Sequence, residues 1–125
     1  MKKTFMYISA IMLFISCGSN TQTHSGKEDL TYGYSQKNPI KVGGVMSGPA
    51  AERKYLNSLT GPNGEQIWFY RESSCCSFTT KNSPFGSGAL DIYSVSYEGK
   101  KDTVTLYLNM YDSGELKAPV GFKLK

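Results

Sequence analysis

Eleven uncharged, mostly apolar residues, Phe5 to Ile15 (FMYISAIMLFI), follow Lys2 and Lys3 and end two places before Cys17. The run is too short to cross a bilayer, whose hydrocarbon of about 30 Å needs about 20 helical residues. A positive start, a short apolar stretch and a small residue, Ser16, before the cysteine match an export signal whose cleavage leaves Cys17 first in the chain and lipidated. Residues 1–16 are therefore expected to be a lipoprotein signal peptide, and Cys17 the site of palmitate-type acylation. Phe14 stands where leucine is usual in such signals, while Gly18, Ser19 and Asn20 suit the lipidated class. The fold must then be built from the residues after Cys17, in an environment that oxidises thiols.

Residues 17–31 open with a polar stretch, Gly18 to Asp29 (GSNTQTHSGKED), that has no large apolar residue and no period. Such a stretch cannot bury enough surface to fold and is expected to be a flexible tether. His24, the one histidine of the chain, falls there and is expected to be a solvated side chain. Residues 32–125 remain for a single small domain, enough for one modest core. Of 14 basic residues, Lys2 and Lys3 leave with the signal, so 12 stand against 10 acidic ones and no dense basic face is available. That balance argues against a nucleic-acid partner, which needs clustered cations to displace counterions.

Within the domain, Tyr32-Gly33-Tyr34 and Ile40-Lys41-Val42 look like short extended pieces around a turn at Asn38-Pro39. From Pro49 to Leu59, Ala51, Tyr55, Leu56 and Leu59 recur at helical spacing, with Ser47 or Gly48 as cap and Pro49 at an early position that tolerates it. Gln66 to Arg71, Leu90 to Tyr97 and Thr103 to Tyr111 are rich in β-branched and aromatic residues and are expected to be strands. In the last of them Val104, Leu106, Leu108 and Met110 alternate with polar or aromatic neighbours, so one face should enter a core. Glu98 to Asp102 reads as a hairpin loop, and Asn82 to Gly88 as an irregular one. The expected fold is α+β: one helix packed on a mostly antiparallel sheet of about four or five strands.

Two cysteines remain after Cys17, and they are neighbours, Cys75 and Cys76. Adjacent cysteines can close only an eight-membered ring that strains the peptide between them. Four fates are open to the pair: a disulfide that clamps a turn, bridges to a second chain, thiolates for a soft metal such as Cu(I) or Zn²⁺, and two packed thiols. A closed tetrahedral metal site lacks ligands within one chain, since there is no Cys-x-x-Cys and only His24. The same lack of a histidine excludes acyl transfer by a Cys-His pair. Asp91, Asp112, Glu98 and Glu115 could be paired carboxylates for glycoside chemistry or calcium binding, but surroundings such as Glu98-Gly99 and Asp112-Ser113-Gly114 are turn chemistry and make no calcium loop. No catalytic residue and no cofactor are predicted.

The tyrosines are harder to set aside. Tyr93, Tyr97, Tyr107 and Tyr111 fall on one side of each strand of the expected hairpin. Tyrosine is amphipathic and loses little entropy on ordering, so these four make a candidate surface for a protein or glycan partner.

Several segments together resemble a family of small lipoproteins from bacteria of the Bacteroidetes group. They are Tyr32-Gly33-Tyr34, Asn38 to Gly44 (NPIKVGG), Leu56 to Glu65 (LNSLTGPNGE), Ser74-Cys75-Cys76 and Leu106 to Asp112 (LYLNMYD). The resemblance spans nearly the whole expected domain and implies no established activity. Members are sometimes labelled 2-dehydro-3-deoxyphosphooctonate aldolase, a chemistry that belongs to (β/α)₈ barrels of about 200 residues or more, over twice the domain available here. It also needs a Schiff-base lysine or a divalent metal, and the domain's lysines fall in expected loops or on a polar helix face.

The expected protein is thus a lipid-anchored envelope lipoprotein, joined to the membrane through Cys17, with a binding or structural role toward a protein or glycan. A thiol or metal role for Cys75 and Cys76 is the alternative, and the aldolase activity a remote one. With no acidic run after Cys17, the periplasmic side of the outer membrane is the expected location.

Overall fold

The computed structural model describes residues 27–44 and 47–125. The expected signal peptide, Cys17, His24 and the tether as far as residue 26 lie outside the described residues. In chain order the elements are β1 (Ile40–Lys41), α1 (Pro49–Leu56), β2 (Leu59–Thr60), β3 (Ile67–Thr79), β4 (Ser87–Tyr97), β5 (Val104–Asn109) and β6 (Lys123–Leu124). Four strands form one sheet in the order β1-β5-β4-β3, and β2 pairs with β6 in a second, two-stranded sheet. All pairings are antiparallel except β1 with β5. One helix on a mostly antiparallel sheet is the α+β architecture the sequence predicts. No helix among the described residues is long and apolar enough to cross a membrane.

Strand β5 carries the alternation that defines the two faces of the main sheet. Leu106 and Leu108 are fully buried, and opposite them across the ladder lie Tyr93 and Asp91. Side chains alternate along a strand, so Asp91, Tyr93, Val95 and Tyr97 share the inner face with Leu106 and Leu108. Ile67 and Phe69 of β3 join them by register, opposite Tyr97 and Val95. Against this face pack Tyr55 and Leu56 of α1, Leu59 of β2 and Phe122 from the C-terminal segment, which together form the core.

Helix α1 ends three residues before the Leu59 that the periodicity suggests. Asn57 closes it in helical geometry, the Ser58 hydroxyl donates back to the Tyr55 carbonyl, and Leu59 is taken into β2 opposite Leu124. Gly48, rather than Ser47, occupies the cap, and no side chain caps the first turn.

Buried tyrosines solve a second problem of the fold. Residues 115–122 run without strand or helix, with Pro119 and Phe122 buried, and carbonyls turned toward the interior need donors. The Tyr55 hydroxyl donates to the Lys117 carbonyl at 2.7 Å, Tyr34 to Val120 at 2.5 Å and Tyr32 to Glu115 at 3.3 Å. Burial pushes all three hydroxyls above the usual tyrosine range, so they stay protonated and able to donate. Tyr55→Phe keeps the ring but orphans a carbonyl, and is expected to cost about 1–3 kcal/mol in urea unfolding. Ordered structure also starts earlier than Tyr32: Asp29 accepts hydrogen bonds from Thr31 and Asn38, and its carboxylate lies 3.8 Å from Lys117.

Candidate functional site

The four tyrosines singled out in the sequence do not share a surface. Tyr93 is 2% exposed and belongs to the core, while Tyr97 lies on the same inner face and packs edge-on against Phe122 at 5.9 Å. Tyr107 pairs with Ile92 and points to the opposite, outer face. Tyr111 follows the end of β5 and packs edge-on against Phe78 at 5.8 Å, above Gly88, where an added Cβ would meet its ring at 2.6 Å. The stripe fails as one surface because the ladder pairs Tyr93 with Leu106, which puts Tyr93 and Tyr107 on opposite sides.

The aromatic surface lies elsewhere, on the outer face of the edge strand β3. Trp68 and Tyr70 alternate with the buried Ile67 and the inward Phe69, and are 54% and 58% exposed. Across the ladder they face Ser96 and Ser94, and Ser94 donates to the Glu72 carboxylate. Alternation within Gln66 to Arg71 was the signal available for this pair. The outer face therefore presents two large rings beside the Ser96 hydroxyl and the exposed Glu72 carboxylate, Ser94 itself being buried.

Strand β3 continues past Arg71 to Thr79, through the cysteines, where the sequence shows no strand signal. Its register against β4 shifts twice, between Arg71 and Ser73 and between Cys75 and Phe78. Cys75 and Cys76 are joined in a disulfide, Sγ to Sγ 2.08 Å, and Cys76 is the one non-glycine residue among those described with positive φ, at 63°. The bond sits in the second bulge, where an extra residue without a cross-strand partner needs special backbone geometry. While it is closed, neither sulfur is a thiolate able to hold a soft metal.

Beside that bulge, at the far end of the outer face, lies a cavity of about 350 Å³. Pro39, Cys76, Phe78 and Leu90 supply its apolar wall, with Lys37, Lys41 and Asp112 at its polar side. Asp112 is fixed by Thr80, Asn82 and Asn109, all donating to its carboxylate at 2.7–3.0 Å. Those hydrogen bonds, that from Thr80 foremost, hold Asp112 below the usual carboxylate range. A second, larger and mainly apolar groove runs beside α1, between Ala51, Tyr55, Leu116 and Leu124.

A carboxyl pair also escaped the sequence. Glu52 of α1 is 0% exposed, and neither of its oxygens has a hydrogen-bond partner. Burial, then the neighbouring carboxyl of Asp91, push its pKa up to about 9. Asp91, 4% exposed, accepts from Arg71 at 2.8 Å and from Ser74 at 2.9 Å. Burial works against its ionisation, but the hydrogen bonds prevail and hold it below the ordinary range. One carboxyl thus keeps its proton at neutral pH and the other does not, the division of labour seen in acid-base sites. Neither lines the disulfide cavity or the groove beside α1, so the pair has no path to a substrate there and acts on stability. Glu52 stands three and four residues before the buried Tyr55 and Leu56, a spacing that marks it as inward-facing. Comparisons with protein-family models, with curated proteins and with solved structures give no match to this chain.

Proposed function

We propose that the chain is an envelope lipoprotein, anchored through acyl groups on Cys17, whose domain is a non-catalytic module that binds an envelope glycan with the outer face of its sheet. The observation that carries the binding role is the exposure of Trp68 and Tyr70 side by side on an edge strand. Two large aromatic residues more than half exposed lose apolar burial in the free protein and recover it on contact with a partner. Alternate residues on one strand face are about 6.7 Å apart, a spacing that lets two flat rings meet successive sugars of a chain. The neighbouring hydroxyls of Ser96 and Thr105 and the exposed Glu72 carboxylate offer hydrogen bonds to sugar hydroxyls. A protein partner is the second occupant of the same face, and the rings would serve it as anchors.

The test is co-sedimentation of the mature chain, carried in detergent micelles, with insoluble cell-wall glycan. Trp68→Ala with Tyr70→Ala is expected to leave the unfolding midpoint nearly unchanged and to weaken binding by about 30-fold, equivalent to about 2 kcal/mol. Equal sedimentation of the double variant would rule out this face. Absence of sedimentation by the unaltered chain, with a protein recovered on Trp68-dependent crosslinking, would turn the reading to a protein partner.

A further inference from the structure

The disulfide cavity stands at one end of the outer face whose other end carries Trp68 and Tyr70. Leu90 and Ile92 continue the outer face of β4 from Ser96 and Ser94, so the two features lie on one continuous strip. From Ser96 to Leu90 is six residues, about 20 Å along the strand. A polymer held on the rings would reach the cavity within a few sugar units.

The cavity is built from mismatched halves. Its wall of Pro39, Cys76, Phe78 and Leu90 is apolar, and the Cys76 sulfur, bonded to that of Cys75, is soft and polarizable. Its rim carries Lys37 and Lys41, both exposed, and among the described residues neither has a carboxylate within ion-pair distance. The one carboxylate in the lining, Asp112, is held ionised by donors from Thr80, Asn82 and Asn109, and the two lysines outnumber it, so the lining is net positive. Pockets of about 300–1,000 Å³ with an apolar lining and a few convergent polar groups are the usual form of small-ligand sites. A volume of about 350 Å³ is at the small end and suits one sugar ring, not a disaccharide. Cys76, held at positive φ by the bulge and the disulfide, places its sulfur in this wall.

We propose that this cavity binds one carboxylated pyranose unit of the glycan, with the apolar face of the ring against Cys76 and Phe78 and the carboxylate between Lys37 and Lys41. The proposal rests on the outer-face reading for the polymer but is tested apart from it. The disulfide keeps the bulge in the shape that forms the wall, and the two lysines select acidic over neutral sugars.

Titration of the mature chain with D-glucuronate, followed by amide shifts or calorimetry, tests it. At about 0.3 kcal/mol per non-hydrogen atom, a sugar acid of about 13 such atoms should bind with a Kd of about 1 mM. D-Glucose and acetate are each expected to bind about tenfold more weakly or less, since each offers only half of the interactions. Lys37→Ala with Lys41→Ala, a change confined to exposed side chains, should erase the preference for glucuronate over glucose. Reduction of the disulfide by a phosphine should weaken glucuronate at least about threefold. Glucuronate and glucose binding alike, acetate matching glucuronate, or a preference that survives loss of both lysines would each overturn the proposal. If those results came with Trp68-dependent sedimentation on cell-wall glycan intact, the cavity assignment would fall alone and the binding role of the outer face would stand.

Discussion

The folded domain is expected to lose stability steadily between pH 5 and pH 8, and Glu52→Gln is expected to abolish that loss. Glu52 ionises at about 9 in the folded chain, against an ordinary value of 4.5. Between those two values the folded protein holds a proton that the unfolded chain has released. Stability from this group is therefore complete below about pH 4.5 and falls as pH rises toward 9, by at most about 1.4 kcal/mol per pH unit. The other displaced carboxyls do not confuse the window: Asp29, Asp91 and Asp112 are all lowered and act below the ordinary carboxylate range. Tyr93, raised to about 12 by burial, acts well above it. Glutamine keeps the shape and the neutral state of protonated Glu52 and adds a donor for Asp91. It should match the natural chain at pH 5 and exceed it by about 2–4 kcal/mol at pH 8. Urea unfolding at the two pH values checks both statements, and a flat profile for the natural chain would show that Glu52 is not buried as described.

The second large effect concerns the other end of the chain. Cys17→Ser should abolish incorporation of labelled palmitate completely and leave the first 16 residues attached, since the proposed cleavage before Cys17 would act only on the lipidated cysteine. The natural chain should partition into the detergent phase on cloud-point extraction. Each acyl chain contributes about 0.8 kcal/mol per buried methylene, and two or more chains make anchoring stable. Equal palmitate labelling of both proteins would locate the lipid elsewhere or deny it.

Legibility in the sequence followed the physics of each segment. The alternation from Val104 to Leu108 and the helical spacing of Tyr55 and Leu56 are local signals, and both elements formed close to where those signals stand. Strand β3 beyond Arg71 was illegible because Glu72, Ser73 and Ser74 are exposed and polar, and two bulges break the period-2 pattern. What keeps this segment extended is its ladder to β4, a long-range contact with no local trace. The parallel pairing of β1 with β5 and the small β2-β6 sheet are two-residue elements set by tertiary packing, below what periodicity can detect.

The tyrosines show where local pattern misleads. Tyr93 and Tyr97 did lie on one side of β4, but Tyr111 falls past the end of β5, and the hairpin register that pairs Tyr93 with Leu106 puts Tyr107 on the opposite face. Tyr32, Tyr34 and Tyr55 donate to carbonyls of the C-terminal segment, long-range contacts with no local trace in the sequence. Trp68 and Tyr70 were legible in principle from their alternation with Ile67 and Phe69. The adjacent cysteines announced unusual chemistry, but that they would close on each other inside a bulge depended on the partner strand.

The proposed location, oxidising environment and class of partner all depend on the proposed acylation at Cys17, so the intact mass of the protein extracted from membranes is the most direct measurement. The expected result is residues 17–125 plus a diacylglycerol group and its further acyl chain, two hydrogens lighter than the dithiol form because Cys75 and Cys76 are joined. A mass of 13.8 kDa, the unmodified 125-residue chain, would contradict it.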